Sequence, residues 1–267
     1  GRVVERLKLY GVPSERIHLT GFPLPKENIG GIDNEILKED LQTRLANLDP
    51  QHIFRQAYQG TLTRTFGRGI SRWEANRPVT ITFSIGGAGA HKRIAWHLLH
   101  SLKTLLLQKR LRLNLEAGTH TDLGKFFQKV ARNIGLQRVL GSTLCIHSYT
   151  ERHEYFQSFT ETLRTTDILW TKPSELSFYT GLGLPILMAP PLGSQEEYNK
   201  KWLESIGGGI PQQDPRYAHE WLMDWISSGA MARFAWNGFI EAPTHGAHRI
   251  EALVTGKPID LPRLPLI

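Results

Sequence analysis

Short apolar runs alternate along the middle of this 267-residue chain with stretches in which apolar residues recur every three or four positions. Runs of about four to eight β-branched and aliphatic residues are typical of buried strands, whereas the longer spacing is typical of amphipathic helices. The predicted strands are Val79–Ile85, Leu111–Glu116, Thr143–Ser148, Asp167–Thr171 and Pro185–Pro190. Strands that alternate with helices predict an α/β fold, with a parallel sheet flanked by helices.

The two ends of the chain are predicted to be mainly helical. Residues 1–10 read as the last turns of a helix, Ile17–Thr20 as a short strand, and Leu37, Leu41, Leu45 and Leu48 as one face of a helix. Further helices are predicted at His91–Lys109, Asp122–Ile134, Arg152–Leu163, Pro215–Ser227, Met231–Phe239 and Thr244–Val254. We therefore expect extra helices at both ends of the α/β body.

A helix-start signal follows the strand Asp167–Thr171. Pro173 stands early in it, Ser174 is the predicted capping residue and Glu175 lies in the first turn. The glycines and proline of Gly181–Pro185 end this helix. Glu175 is thereby predicted to follow the carboxyl end of a strand, which is the edge where open α/β sheets bind ligands.

A second polar cluster follows the strand Pro185–Pro190. Gln195, Glu196 and Asn199 open a predicted helix, and Gln195 and Asn199 lie four residues apart on one face of it. This pair has the donors and acceptors needed to recognise hydroxyl groups. A polar helix start without a binding role accounts equally well for the same residues.

A glycine-rich turn after Val79–Ile85 predicts an anion site. Glycines let the backbone approach a ligand closely, and the free N–H groups of the following helix start point at it. The residues concerned are Gly86, Gly87, Gly89, Ala90 and His91. The spacing differs from the dinucleotide fingerprint, and no P-loop lysine follows.

Composition narrows the choice of partners. The net charge is +7, which favours acidic partners such as nucleotide diphosphates or an anionic membrane surface. No nucleic-acid-binding motif is visible, so nucleic acid is not an expected partner. No apolar run reaches the roughly 20 residues of a membrane span. The single cysteine, Cys145, fits a cytoplasmic protein.

The order of these motifs resembles the donor-binding half of GT-B glycosyltransferases. It is similar to the lipid-II N-acetylglucosaminyltransferase and monogalactosyl diacylglycerol synthase families, in which a Glu opens a helix, Gly-Leu-Pro precedes the next strand and Gln-x-x-x-Asn follows it. Here these are Glu175, Gly183-Leu184-Pro185, Gln195 and Asn199. The resemblance implies a Rossmann-like fold, half of a GT-B enzyme, and an inverting glycosyltransferase that uses a UDP-sugar and a lipid-linked or membrane-proximal acceptor.

The resemblance also implies roles for individual residues. Glu175 would bind the ribose hydroxyls, unless it is only a helix-capping acid, and the Gln195–Asn199 segment would bind the sugar. The turn before Glu175 is shorter than in the families, with Lys172 and Ser174 as replacement phosphate ligands. Tyr149 or His147 would stack on the base, or else be a packed aromatic. The resemblance implies no metal or other cofactor, because GT-B enzymes typically work without a bound divalent ion, and no Asp-x-Asp motif occurs here.

Four segments are predicted on the same basis. They are 1–25, the end of an N-terminal domain with its linker; 26–77, a helical elaboration; 78–210, the nucleotide-sugar-binding domain; and 211–267, C-terminal helices and tail. The segment 26–77 has a second interpretation as an acceptor or membrane contact, through Arg55, Tyr58, Arg64, Phe66 and Arg68.

The general base is expected in an N-terminal acceptor domain that this chain lacks, or in a separate acceptor-binding chain. The chain would then be a fragment or a subunit that is inactive alone, located in the cytoplasm or at the inner face of the membrane. Two alternatives are a partner-dependent or non-catalytic nucleotide-sugar-binding module and, less favoured, a sugar-nucleotide 2-epimerase.

Overall fold

The computed structural model describes residues 2–84, 91–261 and 264. Within these residues six strands form one parallel sheet in the order β3-β2-β1-β4-β5-β6. The strands are β1 Val79–Ser84, β2 Leu111–Glu116, β3 Leu144–His147, β4 Ile168–Thr171, β5 Ile186–Met188 and β6 Gly209–Pro211. The predicted α/β fold with a parallel, Rossmann-like sheet is confirmed.

The central strands carry apolar residues on both faces because helices cover both faces of the sheet. All of β4 and β5 is buried, as are five of the six residues of β1. The chain builds outward from β1 to β3 and then returns to the other side of β1 with β4. The carboxyl ends of β1 and β4 therefore flank the point where the strand order reverses, which is the usual ligand crevice of such sheets.

Twelve α-helices surround the sheet in the described residues. They are α1 Arg2–Leu9, α2 Glu35–Leu48, α3 Ile53–Ala57, α4 Gln59–Phe66, α5 Lys92–Ser101, α6 Lys103–Leu107, α7 Thr121–Asn133, α8 Arg152–Thr165, α9 Ser194–Ser205, α10 Ala218–Ser227, α11 Ala230–Glu241 and α12 Gly246–Thr255. None of the helices in this part of the chain has both the length and the apolar character required to cross a bilayer.

Three details differ from the predictions. Ile17–Thr20 forms no strand; it lies beside α12, and the described part of the chain provides no neighbouring strand with which it could form a hydrogen-bonded ladder. The predicted helix His91–Lys109 is divided at Leu102, whose ψ of 0° turns the chain between α5 and α6. The strand β6 was not predicted.

Helix α2, which precedes β1, is attached to the segments on either side of β4 by the buried side chain of Arg44. The guanidinium group of Arg44 in α2 donates to the carbonyl oxygens of Thr166 and Leu182 at 2.8 and 2.7 Å. Arg55 is also buried, and Phe66 packs edge-on against Trp73. Arg55 and Phe66 are thus packing residues, whereas Arg64 and Arg68 of the same proposed contact surface are exposed.

Candidate functional site

A cavity of about 400 Å³ opens at the carboxyl edge of the sheet. Its floor is formed where three strands end, at Ser84 of β1, Glu116 of β2 and Thr171 of β4. Residues 85–90, which include the predicted anion ligands Gly86, Gly87, Gly89 and Ala90, lie outside the described residues. The cavity is therefore located at the point where the strand order reverses, as the fold leads one to expect.

The cavity wall after β4 carries a lysine that is held in place by a carboxylate. The ammonium group of Lys172 donates to Glu196 Oε1 at 2.6 Å, and Glu196 Oε2 accepts from the backbone N–H of Leu192 at 2.8 Å. Both side chains are partly buried, with exposed fractions of 27% and 13%. Despite its partial burial, the pKa of Glu196 is lowered by these bonds.

His91 lies close to this pair, at the start of α5. Burial lowers its pKa, and the charge of Lys172 lowers it further. Its Nδ1 atom is buried and has no hydrogen-bond partner in the described part of the chain. Lys172, Glu196 and His91, all predicted site residues, are thus brought together beside the start of a helix.

Ser174 and Glu175 also line the cavity, where a 3-10 helix, Glu175–Leu182, begins. Glu175 is exposed to the opening. Ser174 occupies the capping position but makes no capping hydrogen bond, so the predicted cap is wrong in this respect. Its hydroxyl oxygen is buried without a partner within the described residues. Gly183, with φ of 67°, ends the 3-10 helix in the left-handed region that glycine adopts without strain.

Asn199 and Gln195 stand on α9, outside the cavity wall. The Nδ2 atom of Asn199 donates to the carbonyl oxygens of Pro173 and Ser174 at 3.1 and 3.2 Å. Asn199 therefore fixes the turn that carries Ser174. Gln195 is exposed in the first turn of α9.

Tyr149 does not line the cavity, although it follows a strand end as predicted. Its hydroxyl is hydrogen-bonded to Ser158, and its ring lies near those of His147 and Tyr155, with centroids 6.5 and 5.9 Å away. Tyr155, whose ring neighbours that of Tyr149, lines the cavity instead.

Glu116 is a site residue that the sequence analysis did not single out. It is only 1% exposed, and neither carboxyl oxygen has a hydrogen-bond partner in the described part of the chain. Burial raises the pKa of Glu116 to about 8. The one sequence signal is an acidic residue that ends the apolar strand β2, at the ligand-binding edge.

Aromatic residues also line the cavity, among them Tyr155, which lies close enough to Glu116 to feel its charge. Tyr155, Phe156 and Phe159 come from α8, and Phe22 and Tyr179 complete this surface. Phe22 is itself stacked on Phe178, with ring centroids 4.8 Å apart. The cavity is thus lined by both charged and aromatic residues. Within the described residues, no group of three or more His, Cys, Asp and Glu side chains is placed to hold a metal ion.

No family model matches this sequence, and no curated protein sequence matches it. The solved structures with a similar fold include the following two. The match to MurG from Acinetobacter baumannii has a TM-score of 0.51 and 15% identity, and covers 69% of this chain and 51% of that one. The match to UDP-GlcNAc 2-epimerase from Neisseria meningitidis, bound to UDP-GlcNAc, has a TM-score of 0.52 and 12% identity, and covers 96% of this chain and 59% of that one.

These matches define the class of fold. The chain spans little more than half the length of either neighbour. Its six-stranded parallel sheet, flanked by helices, is Rossmann-like and matches the GT-B-like fold of both.

Proposed function

We propose that this chain is the donor-binding half of an inverting glycosyltransferase that uses a UDP-sugar. The observation that supports the proposal best is the cavity at the reversal point of the sheet, with the charged side chains of Lys172 and Glu175 at its wall. Buried polar groups without partners, such as the Ser174 hydroxyl, are expected where a ligand supplies the missing hydrogen bonds. The GT-B-like fold of the two neighbours is consistent with this function.

In the proposed complex Glu175 and Lys172 bind different parts of the nucleotide sugar. The carboxylate of Glu175 accepts hydrogen bonds from the ribose hydroxyls, and the ammonium group of Lys172 contacts the diphosphate. The predicted anion ligands Gly86, Gly87, Gly89 and Ala90 stay proposed contacts of the diphosphate. The leaving diphosphate gains negative charge in the transition state, and fixed donors of this kind stabilise that charge without a metal. Gln195 and Asn199 stay proposed sugar contacts, with the amide of Asn199 oriented by its bonds to the turn.

Transfer of the sugar is proposed to require an acceptor-binding domain or chain that supplies the general base. The acceptor would be lipid-linked or membrane-proximal. The net charge of +7 supports a peripheral contact with an anionic membrane. On this proposal the chain alone binds the donor but does not transfer its sugar.

Calorimetric titration with UDP, UDP-sugars, ADP and GDP tests the donor site. We expect UDP and its sugars to bind, and Glu175→Ala to weaken binding by about 10–100-fold, since a hydrogen bond to a charged group contributes roughly 1.5–3 kcal/mol. Glu204→Ala, which removes an exposed carboxyl on α9, is the control. Failure of every nucleotide to bind, or equal affinities in the Glu175→Ala and Glu204→Ala variants, would contradict the proposal.

The epimerase neighbour supports a second candidate, a sugar-nucleotide 2-epimerase, because that match extends over 96% of this chain. An epimerase changes UDP-GlcNAc without an acceptor, whereas a transferase does not. Incubation of the chain with UDP-GlcNAc alone, followed by NMR of the sugar, separates the two. Formation of an epimer supports the second candidate; an unchanged sugar, bound with an affinity that depends on Glu175, supports the donor-binding half.

A further inference from the structure

Glu116 is the buried polar group of the cavity that the proposed donor site leaves unexplained. It ends β2, lines the cavity floor, and is 1% exposed. Neither carboxyl oxygen has a hydrogen-bond partner in the described residues. A buried carboxyl without a partner costs about 1–3 kcal/mol or more, so a stable fold retains it where a ligand or a function offsets the cost.

Arg152 and Lys172 line the same cavity, but among the described residues no positive charge offsets the effect of burial on Glu116. Four titratable groups interact with it. The Nε2 atom of His147 lies 4.0 Å from Glu116 Oε1, Cys145 is on the same strand as His147, and the phenols of Tyr149 and Tyr155 come from the segment that follows. Burial lowers the pKa of His147 and raises those of Cys145 and the two tyrosines, so all four groups are neutral near pH 7. Burial alone raises the pKa of Glu116 to about 8. Its carboxyl is therefore protonated near pH 7.

We propose that the neutral carboxyl group of Glu116 donates a hydrogen bond to an oxygen atom on the nucleoside half of the bound nucleotide. This inference rests on the proposed donor site. A neutral carboxyl presents one donor and one acceptor, and it adds no negative charge to a cavity that receives a diphosphate. An ionised carboxylate at the same place would only accept hydrogen bonds.

The position of Glu116 relative to the two sides of the cavity selects the nucleoside half. Lys172 and the start of α5 lie on the side of β1 and β4, where they suit a diphosphate. Glu116 ends β2, on the side of the aromatic residues Tyr155 and Phe156 from α8. Aromatic faces suit a nucleobase, since base–aromatic stacking contributes about 1–3 kcal/mol. A nucleotide that spans the reversal point thus places its base and ribose near Glu116.

Titration of UDP into the wild-type chain and the Glu116→Gln variant, at several pH values, tests the proposal. Glutamine keeps one donor and one acceptor but does not ionise. With a pKa of about 8, wild-type affinity should fall about tenfold between roughly pH 7 and pH 9, whereas the Glu116→Gln variant should keep its affinity. The ratio of the two affinities removes any titration of UDP itself, and Glu204→Gln is a control that should follow the wild type.

Inorganic pyrophosphate is the probe for the phosphate side. Its affinity should be equal in the wild type, Glu116→Gln and Glu116→Leu, while UDP affinity falls at least tenfold in Glu116→Leu near pH 7. If wild type and Glu116→Gln lose UDP affinity in parallel as the pH rises, or if Glu116→Leu weakens pyrophosphate as much as UDP, the inference is wrong. UDP binding that depends on Glu175 would in that case leave the donor site itself intact.

The protonation of Glu116 can also be measured without a ligand. An infrared difference spectrum between about pH 6 and pH 9, wild type minus Glu116→Gln, should show loss of one protonated carboxyl band. Ionisation of Glu116 complete below about pH 6 would overturn the inference. Absence of binding by every nucleotide at every pH would refute the donor site and this inference together.

Discussion

At the scale of single residues, Lys172 is the cation on which the proposed donor site depends most. Its ammonium group forms an ion pair with Glu196, so its side chain is already ordered before a ligand binds. Lys172→Met should weaken UDP binding about 10–100-fold, because a charge-assisted hydrogen bond contributes roughly 1.5–3 kcal/mol. Calorimetric titration with UDP and with uridine measures the effect, which should be absent for uridine.

The matched control for Lys172 is Lys201→Met, which removes an exposed ammonium group on α9. It changes the net charge by the same amount and lies outside the cavity wall. Equal losses of UDP affinity in both variants would mean that only the overall charge matters. A loss of uridine affinity in Lys172→Met would indicate a general disturbance of the site.

Glu116 predicts an unusual pH dependence of stability. Its pKa rises from an ordinary value of 4.5 to about 8 on folding. Between these values the folded state binds more protons than the unfolded state, so the free energy of unfolding falls as the pH rises, by up to about 1.4 kcal/mol per pH unit. Above about pH 8 this contribution is flat.

Urea unfolding of the wild type and of Glu116→Gln between about pH 5 and pH 9 measures this dependence. The variant lacks the titrating group. Its free energy of unfolding relative to that of the wild type should therefore increase from about pH 5 to pH 8 and then stay constant. A constant difference across the whole range would show that Glu116 has the same pKa in both states.

The sequence predicted the charged residues at the wall of the cavity but not Glu116 at its floor. Ser174 and Glu175 were predicted because proline, serine and glutamate form a recognisable helix-start pattern, and Lys172 was added through the family resemblance. Glu116 was not, since the pattern cannot distinguish an acid that ends a buried strand from one that faces water. Burial and the absence of hydrogen-bond partners, which single out Glu116, are properties of the packed structure.

At the scale of elements, long apolar strands were predictable and short or unpaired ones were not. The β-branched run of β1 has few alternatives to a buried strand. β6 has only the residues Gly209, Ile210 and Pro211, two of which are disfavoured in strands, and it forms because β5 offers an edge. Ile17–Thr20 has a better strand composition but no neighbouring strand among the described residues. Strand formation at such segments is decided by the tertiary structure.

The contact of α11 with the 3-10 helix depends on Gly238. A Cβ atom at this position would lie 2.5 Å from the carbonyl oxygen of Thr180. Thr180 belongs to the 3-10 helix that begins with Glu175. Gly238→Ala should therefore lower the free energy of unfolding by about 1–3 kcal/mol through overpacking. Urea unfolding monitored by circular dichroism measures the change.

Gly60 provides the matched control within a helix. It lies in α4, and a Cβ atom there would meet no atom within 4 Å. Gly60→Ala should be neutral or stabilise the protein by roughly 0.5–1 kcal/mol, because alanine has the higher helix propensity. Destabilisation by both substitutions to the same extent would contradict the role of the close contact at Gly238.

At the scale of the whole molecule, the buried carboxyl groups at the two edges of the sheet differ in their hydrogen bonding. At the carboxyl edge, Glu116 and Ser174 have oxygens without partners in the described residues. At the amino edge, the carboxylate of Asp167 accepts bonds from Arg77 and from the backbone N–H of Thr80. Satisfied buried networks stabilise a fold, whereas unsatisfied groups are retained where another requirement offsets their cost.

This division predicts a substitution that separates stability from binding. Asp167 is fully buried before β4, and it joins Arg77, which precedes β1, to Asn47 of α2. Asp167→Ala removes the carboxylate that pairs with Arg77, whose side chain is 23% exposed and keeps longer bonds to Pro78 and Thr80. The free energy of unfolding should fall by about 1.5–3 kcal/mol, the contribution of hydrogen bonds to charged groups. Asp33→Ala, at an exposed position before α2, should change it by less than about 0.5 kcal/mol.

UDP affinity is expected to be independent of Asp167, because this residue lies at the edge of the sheet opposite the cavity. Under conditions where both variants remain folded, as judged by circular dichroism, Asp167→Ala and Asp33→Ala should bind UDP equally well in calorimetric titrations. Urea unfolding gives the stability of each variant in parallel. A loss of affinity in folded Asp167→Ala would show that the amino-edge network also shapes the binding site. A loss of stability with unchanged UDP affinity would show that the amino-edge network stabilises the fold without contributing to the proposed binding site.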